Sequence, residues 1–383
     1  MRIEHPGLTT EAARVALGVL TDAGYRALFV GGTVRNAILR MPVTDFDVAT
    51  DAAPETVMEL AERANVRAVP TGIDHGTVTL VVDGEPFEIT TFRKDIETDG
   101  RRAVVHFAES VEEDAHRRDF TMNALYAEAD GALVDPLGGL EDALAGRVRF
   151  IGEPEDRIRE DYLRILRFFR FTAWYTPASE GLDAEGLAAC AALAEGLERL
   201  SKERIGAEIK KLLSAPDCAI AVAAMERSGV LARILPGATT ALIGPLQELE
   251  VQAGVSADPI RRLAALGEFD VREALRLSKA EARDYAALRE AMSSIERATA
   301  LGFNLGEARA TDSVLLRAAA LGQPISQADL KAVKSGARAE FPLRAGDLPV
   351  ALHGPALGAE IKRLRSLWLA SDCKLSRGEL LDL

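Results

Sequence analysis

The chain has 383 residues, 48% hydrophobic and 27% charged, with a formal net charge of −13. That length exceeds one core of ordinary size, so the totals predict two or three ordered domains and exclude a disordered or fibrous chain. No uncharged apolar run is long enough to span a membrane, the N-terminus (Met1-Arg2-Ile3-Glu4-His5-Pro6) lacks a secretory pattern, and the acidic balance excludes broad nonspecific attraction to a polyanion; a cytoplasmic protein is expected.

Apolar residues recur at helical spacing over 9–23, behind Thr9 and Thr10, which can cap. Tyr25 to Val30 then forms a short apolar run that ends at Gly31-Gly32, the pattern of a strand and a sharp turn. A helix follows from Val34 to Leu39, a strand from Asp45 to Ala49, and a helix from Pro54 to Ala64 with proline in its first turn. Thr77 to Val82 and Phe87 to Phe92 read as strands joined by Asp83-Gly84. The segment from Arg93 to Glu113 is charged and aperiodic, a loop between ordered stretches. After Gly152 the strand-like runs nearly vanish. Amphipathic helices are predicted at Arg157 to Tyr175, Ala184 to Leu197, Lys202 to Leu213 and Ala219 to Ser228, with more to the C-terminus, punctuated by prolines and without a fixed-period repeat. The predicted organisation is α+β over residues 1–150, followed by helices.

Cys190, Cys218 and Cys373 show neither disulfide nor zinc spacing, and the five histidines are scattered, which leaves carboxylates as the candidate metal ligands. Asp45 and Asp47 lie two apart in a predicted strand, so both side chains leave from one face. Two such carboxylates repel, and a shared pair of Mg²⁺ ions holds them ionised; the alternative is a polar turn before a strand. Upstream, Gly31-Gly32 sits between a strand and a helix, where backbone N–H groups and the helix dipole suit a phosphate, and Arg35 is one helical turn further on. Alone, this is an ordinary strand-to-helix turn; the phosphate cradle and carboxylates together, within 17 residues, are far more specific. Arginines also cluster at Arg101-Arg102, Arg117-Arg118 and Arg157 to Arg170.

The stretch Leu28-Phe29-Val30-Gly31-Gly32-Thr33-Val34-Arg35-Asn36 with Asp45-Phe46-Asp47 resembles the head of class II CCA-adding enzymes and bacterial poly(A) polymerases, within the polymerase-β-like nucleotidyltransferase superfamily. Arg117-Arg118-Asp119-Phe120-Thr121-Met122-Asn123-Ala124-Leu125 is similar to the family's second motif, and Asp135-Pro136-Leu137-Gly138-Gly139-Leu140-Glu141-Asp142 to its hinge-like third. The run from Glu160 to Phe171 resembles its nucleobase-selecting motif, and Leu200 to Ile205 a final helical block. The likeness covers about residues 25 to 215. Asn36 departs from the family's usual aspartate, and Phe168-Phe169 is bulkier than the pattern between those arginines.

The resemblance implies a polymerase-β-like head (1–150), a helical neck with the base-selecting motif (151–215) and a helical body and tail that docks tRNA (216–383). It implies CCA addition to a tRNA 3′ end from CTP and ATP, with Asp45 and Asp47 holding two Mg²⁺ ions and pyrophosphate leaving. Glu88 is a candidate third carboxylate, a solvent-facing strand glutamate being the alternative. Gly31, Gly32, Arg35 and Arg118 would contact the triphosphate. Asp161 and Arg164, three apart on a predicted helix, would read the base: a carboxylate accepts from the exocyclic amine of C or A, and a guanidinium donates to the adjacent ring acceptor. Arg167 and Arg170 continue that row toward the nucleotide, their alternative being a helix face ion-paired with Glu160 and Asp161. Asp119 and Asn123, four apart on a predicted helix, read as structural. The loop with Arg93, Asp95, Asp99, Arg101 and Arg102 resembles the segment that reorganises between C and A addition. Poly(A) synthesis, addition of CC or A alone, a catalytically silent RNA-binding protein and a small-molecule nucleotidyltransferase are the competing readings, and monomer and homodimer both stay open.

Overall fold

The computed structural model describes residues 1–95, 105–108, 110–349 and 352–383. The chain divides into two compact units, Met1–Leu200 with Ser228–Arg233, and Ser201–Arg227 with Ile234–Leu383. Among the described residues no helix is long and apolar enough to cross a membrane.

The first unit is α+β. Helix α1 (Glu11–Thr21) is capped by Thr10, whose side chain accepts from the Ala13 N–H. It leads into β1 (Ala27–Val30), α2 (Gly32–Ile38), β2 (Phe46–Thr50), α3 (Pro54–Arg63), β3 (Arg67–Gly72), β4 (Thr77–Val82) and β5 (Glu85–Thr91). The chain continues through β6 (Arg93–Asp95), β7 (Val105–Phe107), α4 (Val111–His116), β8 (Tyr126–Ala127), β9 (Leu133–Val134) and α5 (Gly139–Ala145). Seven strands form one sheet in the order β3-β4-β5-β2-β1-β8-β9, and β6 pairs with β7 separately. Within the large sheet β2 runs parallel to β5 and antiparallel to β1. Sequence periodicity locates β1, β2, β4 and β5 but misses β3, β8 and β9. β3 is a largely solvent-facing edge strand that contains Pro70, and β8 and β9 have two residues each, too few to show alternation. The segment from Arg93 to Glu113, expected as a loop, includes β6, β7 and part of α4; Asp99, Arg101 and Arg102 lie outside the described residues.

After β9 the unit is helical: α6 (Pro154–Glu160), α7 (Leu163–Tyr175) and α8 (Ala184–Ala192). Phe168 and Phe169 are fully buried among aromatics, with Phe150 stacked on Phe168 at 5.7 Å and Phe120 5.3 Å from Phe171. They are core, as their apolar character predicts. A second cluster, with Leu28, Val30, Phe92, Val111 and Tyr126, packs against one face of the sheet.

The described residues of the second unit are helical, from α9 (Lys202–Leu213) and α10 (Ala219–Arg227), with the short α11 (Val230–Ile234), assigned mostly to the first unit, following in the chain, to α12 (Ile243–Ala253), α13 (Pro259–Leu266), α14 (Val271–Leu275) and α15 (Lys279–Ser293). Then come α16 (Ala298–Leu321), broken at Gly306, α17 (Gln327–Ala337), α18 (Gly354–Ala370) and α19 (Arg377–Leu381). Its polar core is unusual: Arg261 and Arg262 are both 2% exposed and share Glu250, and Arg261 also pairs with Asp312 at 2.6 Å. Arg262 also donates to the carbonyls of Leu213, Ala215 and Pro216, closing the C-terminus of α9.

Candidate active site

β2 and β5 are in register, with Phe46 opposite Phe87 and Asp47 opposite Glu88. Alternation along a strand therefore puts the two phenylalanines on one face, stacked at 4.9 Å, and the two carboxylates on the other. Asp47 is half-buried, and Asp45, just before β2, and Glu88 are exposed. Burial pushes the Asp47 carboxyl up to about 6, the neighbouring Glu88 and Asp45 push the same way, and Arg118 and Arg35 oppose them. The arginines only partly offset these effects, and a hard divalent cation with oxygen ligands would supply the remaining positive charge that an ionised Asp47 needs. Among the described residues no group of three His, Cys, Asp or Glu side chains is gathered closely enough to hold a metal by itself. Glu88 is an electrostatic neighbour of Asp47, not part of a three-carboxylate shell. Two carboxylates still suit Mg²⁺, which commonly keeps several waters and takes its other ligands from substrate phosphates.

The glycine turn lies directly against these carboxylates. Gly31, at φ +65°, bonds its N–H to the Leu125 carbonyl, and α2 starts at Gly32. A side chain at Gly31 would be strained by that φ and would press on Arg118 Nη1, 3.4 Å from where its Cβ would stand. Thr33 ties the turn to β2: its hydroxyl donates to the Asp45 carbonyl at 2.9 Å and accepts from the Asp47 N–H at 3.0 Å. Sequence reasoning missed Thr33; its only signal was its place directly after the glycine pair.

Arg118 is held from behind. Its Nη2 donates to Asp114 at 2.7 Å and its Nε to the Tyr126 hydroxyl at 3.0 Å. Burial favours neutral Asp114, but Arg118 and Arg117 outweigh it and hold that carboxyl far below the usual range. The guanidinium is charged, oriented and turned with Nη1 toward the Gly31 turn, an arrangement suited to a bound anion.

Arg35 is placed differently from the expectation of a side chain reaching an anion. It is 5% exposed and lies beneath the turn, bonding Asn123 Oδ1, Asn36 Oδ1 at 2.9 Å and the Tyr175 hydroxyl at 2.6 Å, with its guanidinium 4.1 Å above the Tyr175 ring. The cause is tertiary: Asn123 and Tyr175, far away in sequence, stand under α2 and capture the side chain there. Asn36 offers Oδ1 to Arg35 and Tyr175 and donates Nδ2 to the Pro42 carbonyl at 3.1 Å, a donor that the usual aspartate lacks.

The expected single helix from Arg157 to Tyr175 is broken. Asp161 is extended (φ −151°, ψ 105°) between α6 and α7, and its Oδ1 accepts from the Leu163 N–H at 3.0 Å. Asp161 and Arg164 therefore do not share a helix face by i, i+3 spacing. Asp161 leaves from the junction, because a short carboxylate competes well for exposed backbone N–H groups at a helix start. Arg164 pairs with Glu160 at 2.5 Å and donates to the carbonyls of Arg157 and Arg117. Arg167 pairs with Asp119 at 2.5 Å, and Arg170 lies 4.3 Å over the Phe171 ring. Asn123 ends a 3₁₀ turn (Thr121–Asn123), not an α-helix, with Asp119 two residues before it, and Asn123 donates to Asp119 at 2.9 Å. Burial raises the Asp119 carboxyl, but Arg167 and Asn123 prevail and hold it at about 2. The third motif is held by its own carboxylates: Asp135 accepts from the Gly139 and Leu140 N–H groups, and buried Asp142 accepts from Thr121 at 2.7 Å. Gly139 approaches the Thr121 carbonyl so closely that a Cβ would lie 2.1 Å away.

Residues 27–149 match the model of the poly A polymerase head domain, and residues 182–242 the probable RNA and SrmB-binding site of polymerase A. The CCA-adding enzyme of Bacillus cytotoxicus is 41% identical over 54% of this chain and 51% of its own length. The human mitochondrial CCA tRNA nucleotidyltransferase 1 is 39% identical over 56% of this chain and 50% of its own length. The matched part thus spans about half the length of these curated relatives. The crystal structure of the Bacillus stearothermophilus CCA-adding enzyme in complex with CTP superposes with a TM-score of 0.76 at 29% identity, covering 96% of this chain and 94% of that one.

Proposed function

We propose that this chain, similar in its head to class II CCA-adding enzymes and bacterial poly(A) polymerases, is a tRNA nucleotidyltransferase adding C, C and A to a tRNA 3′ end from CTP and ATP in the cytoplasm. The observation that carries this reading is the pair Asp45 and Asp47 fastened through Thr33 to the Gly31–Gly32 turn, with Arg118 alongside. Asp45 and Asp47 would hold Mg²⁺, with Glu88 adding negative potential next to them. When bound, the metal lowers the pKa of the attacking hydroxyl and offsets charge on the phosphates.

The side chains then divide the work. The Gly31–Gly32 backbone admits the triphosphate without steric hindrance, and Arg118 contributes a fixed positive charge to it. Arg35 supports the turn from below. Asp161 and Arg164 read the base once Arg164 leaves its Glu160 and Arg117 partners, with Arg167 and Arg170 further along α7. A base with a carbonyl and ring N–H in place of the amine and acceptor leaves both groups unsatisfied. The functional division would be a catalytic head (1–150), a base-selecting neck (151–215) and a helical body and tail that docks tRNA (216–383).

The test uses purified protein, tRNAs lacking CCA, CA or A, and each triphosphate singly. Incorporation of C, C and then A, stopping there, supports the proposal. Long uniform A tails would instead assign poly(A) synthesis, and C-only or A-only addition a partial enzyme.

A further inference from the structure

Tyr175, at the last turn of α7, has a role that no motif of the sequence indicates. Its hydroxyl accepts from Arg35 Nη2 at 2.6 Å and donates to Asn36 Oδ1 at 3.2 Å, both on the helix that begins at the glycine turn. Its ring stacks on Phe171 at 5.6 Å and lies under the Arg35 guanidinium. Its backbone is fixed as well: Gly146, at the end of α5, approaches the Tyr175 carbonyl so closely that a Cβ there would stand 2.3 Å away, and the Thr176 hydroxyl donates to the Gly146 carbonyl at 2.6 Å. Two turns earlier on α7, Arg167 holds Asp119, Asp119 accepts from Asn123, and Asn123 accepts from Arg35. The path from Arg35 through Tyr175, α7, Arg167, Asp119 and Asn123 thus returns to Arg35. Helix α7 is gripped near its middle and at its C-terminal end, and both grips end on one guanidinium under the glycine turn.

We propose that Tyr175 is a positioning residue that sets the register of α7 against the Gly31–Gly32 turn, and so sets where Asp161 and Arg164 stand relative to the triphosphate. This rests on the reading of Asp161 and Arg164 as base-selecting. Without the hydroxyl, α7 keeps its aromatic packing, the Arg167–Asp119 pair and the Thr176–Gly146 bond but loses its hydroxyl link to Arg35 and Asn36 on α2. The glycine turn then shifts relative to α7, and so relative to the base contacts at the N-terminal end of that helix.

Tyr175→Phe keeps the ring stack and removes only the hydroxyl. The readout is the ratio of kcat/KM for CTP to that for UTP on tRNA lacking CCA, because a smaller folded fraction lowers both terms equally and cancels. The ratio should fall about tenfold, the equivalent of one ordinary hydrogen bond. Asn36→Ala, which removes the other side of the Tyr175–Asn36 bond, should also lower it, and the double variant should fall by less than the product of the two single falls, since the singles share that contact. Wild-type incorporation of C with an unchanged ratio in both single variants overturns the inference and leaves the proposed function standing. Wild-type protein that incorporates neither C nor A overturns both.

Discussion

Thr33 holds Asp47 by its backbone: one buried hydroxyl accepts from the Asp47 N–H at 3.0 Å while donating to the Asp45 carbonyl at 2.9 Å. The spacing between carboxylates and glycine turn is therefore fixed by a side chain whose hydroxyl is engaged by backbone groups on both sides. Thr33→Val keeps the shape but removes both bonds, leaving a half-buried N–H and carbonyl unpaired. We expect a loss of about 1–3 kcal/mol in denaturant unfolding and a fall in kcat. Thr33→Ser should recover most of both.

Asp45→Asn and Asp47→Asn each remove one negative charge with little change in shape. Mg²⁺-dependent nucleotide incorporation should fall by about 10³-fold or more, since several kcal/mol of charge stabilisation depend on those groups. Binding of tRNA, read by filter retention, should change little. Incorporation unaffected by either substitution would refute the assignment.

Asn36→Asp restores the residue usual in the family at this position. The carboxylate can still accept from Arg35 and Tyr175, but it has no proton for the Pro42 carbonyl. A new ion pair and a lost hydrogen bond offset each other, so unfolding free energy should stay within about 1 kcal/mol of wild type and kcat/KM within a few-fold. Asn36→Leu, which keeps neither function, should cost more than Asn36→Asp in both measurements.

Asp119 contributes stability that depends on pH. Its folded-state pKa of about 2 lies below the ordinary 3.8, so its contribution is fully present above 3.8 and is lost as pH falls toward 2. Up to roughly 2 kcal/mol belongs to this one group by linkage. Acid unfolding followed between pH 5 and 2 should be less steep in Asp119→Asn, which is less stable at pH 7 and approaches wild type at the acid end.

Arg262→Met tests the polar core of the helical unit. Truncation leaves the carbonyls of Leu213, Ala215 and Pro216 without that partner and removes one of the two guanidiniums on Glu250. Breaking a buried pair from one side costs about 3–5 kcal/mol, so a clear fall in Tm is expected in calorimetry. Arg233→Met, which loses only an exposed pair with Glu198, should melt within a degree or two of wild type.

The sequence by itself determined the class of the fold and pointed to the candidate site. A continuous apolar run marks β1, which is buried on both faces, and apolar or alternating runs mark β2, β4 and β5. Gly31-Gly32 and Asp45-x-Asp47 are legible because a positive φ and a pair of converging carboxylates are each satisfied by few residue types. The break at Asp161 was not legible. Nothing in a continuous run of helix formers from Arg157 to Tyr175 shows that one carboxylate will cap Leu163 and turn the chain. Nor could spacing show that Arg35 points inward, since its partners Asn123 and Tyr175 lie 88 and 140 residues away. A guanidinium can serve a phosphate or a buried ring equally well, and only the tertiary arrangement, which places Tyr175 and Asn123 under α2, decided which it serves here.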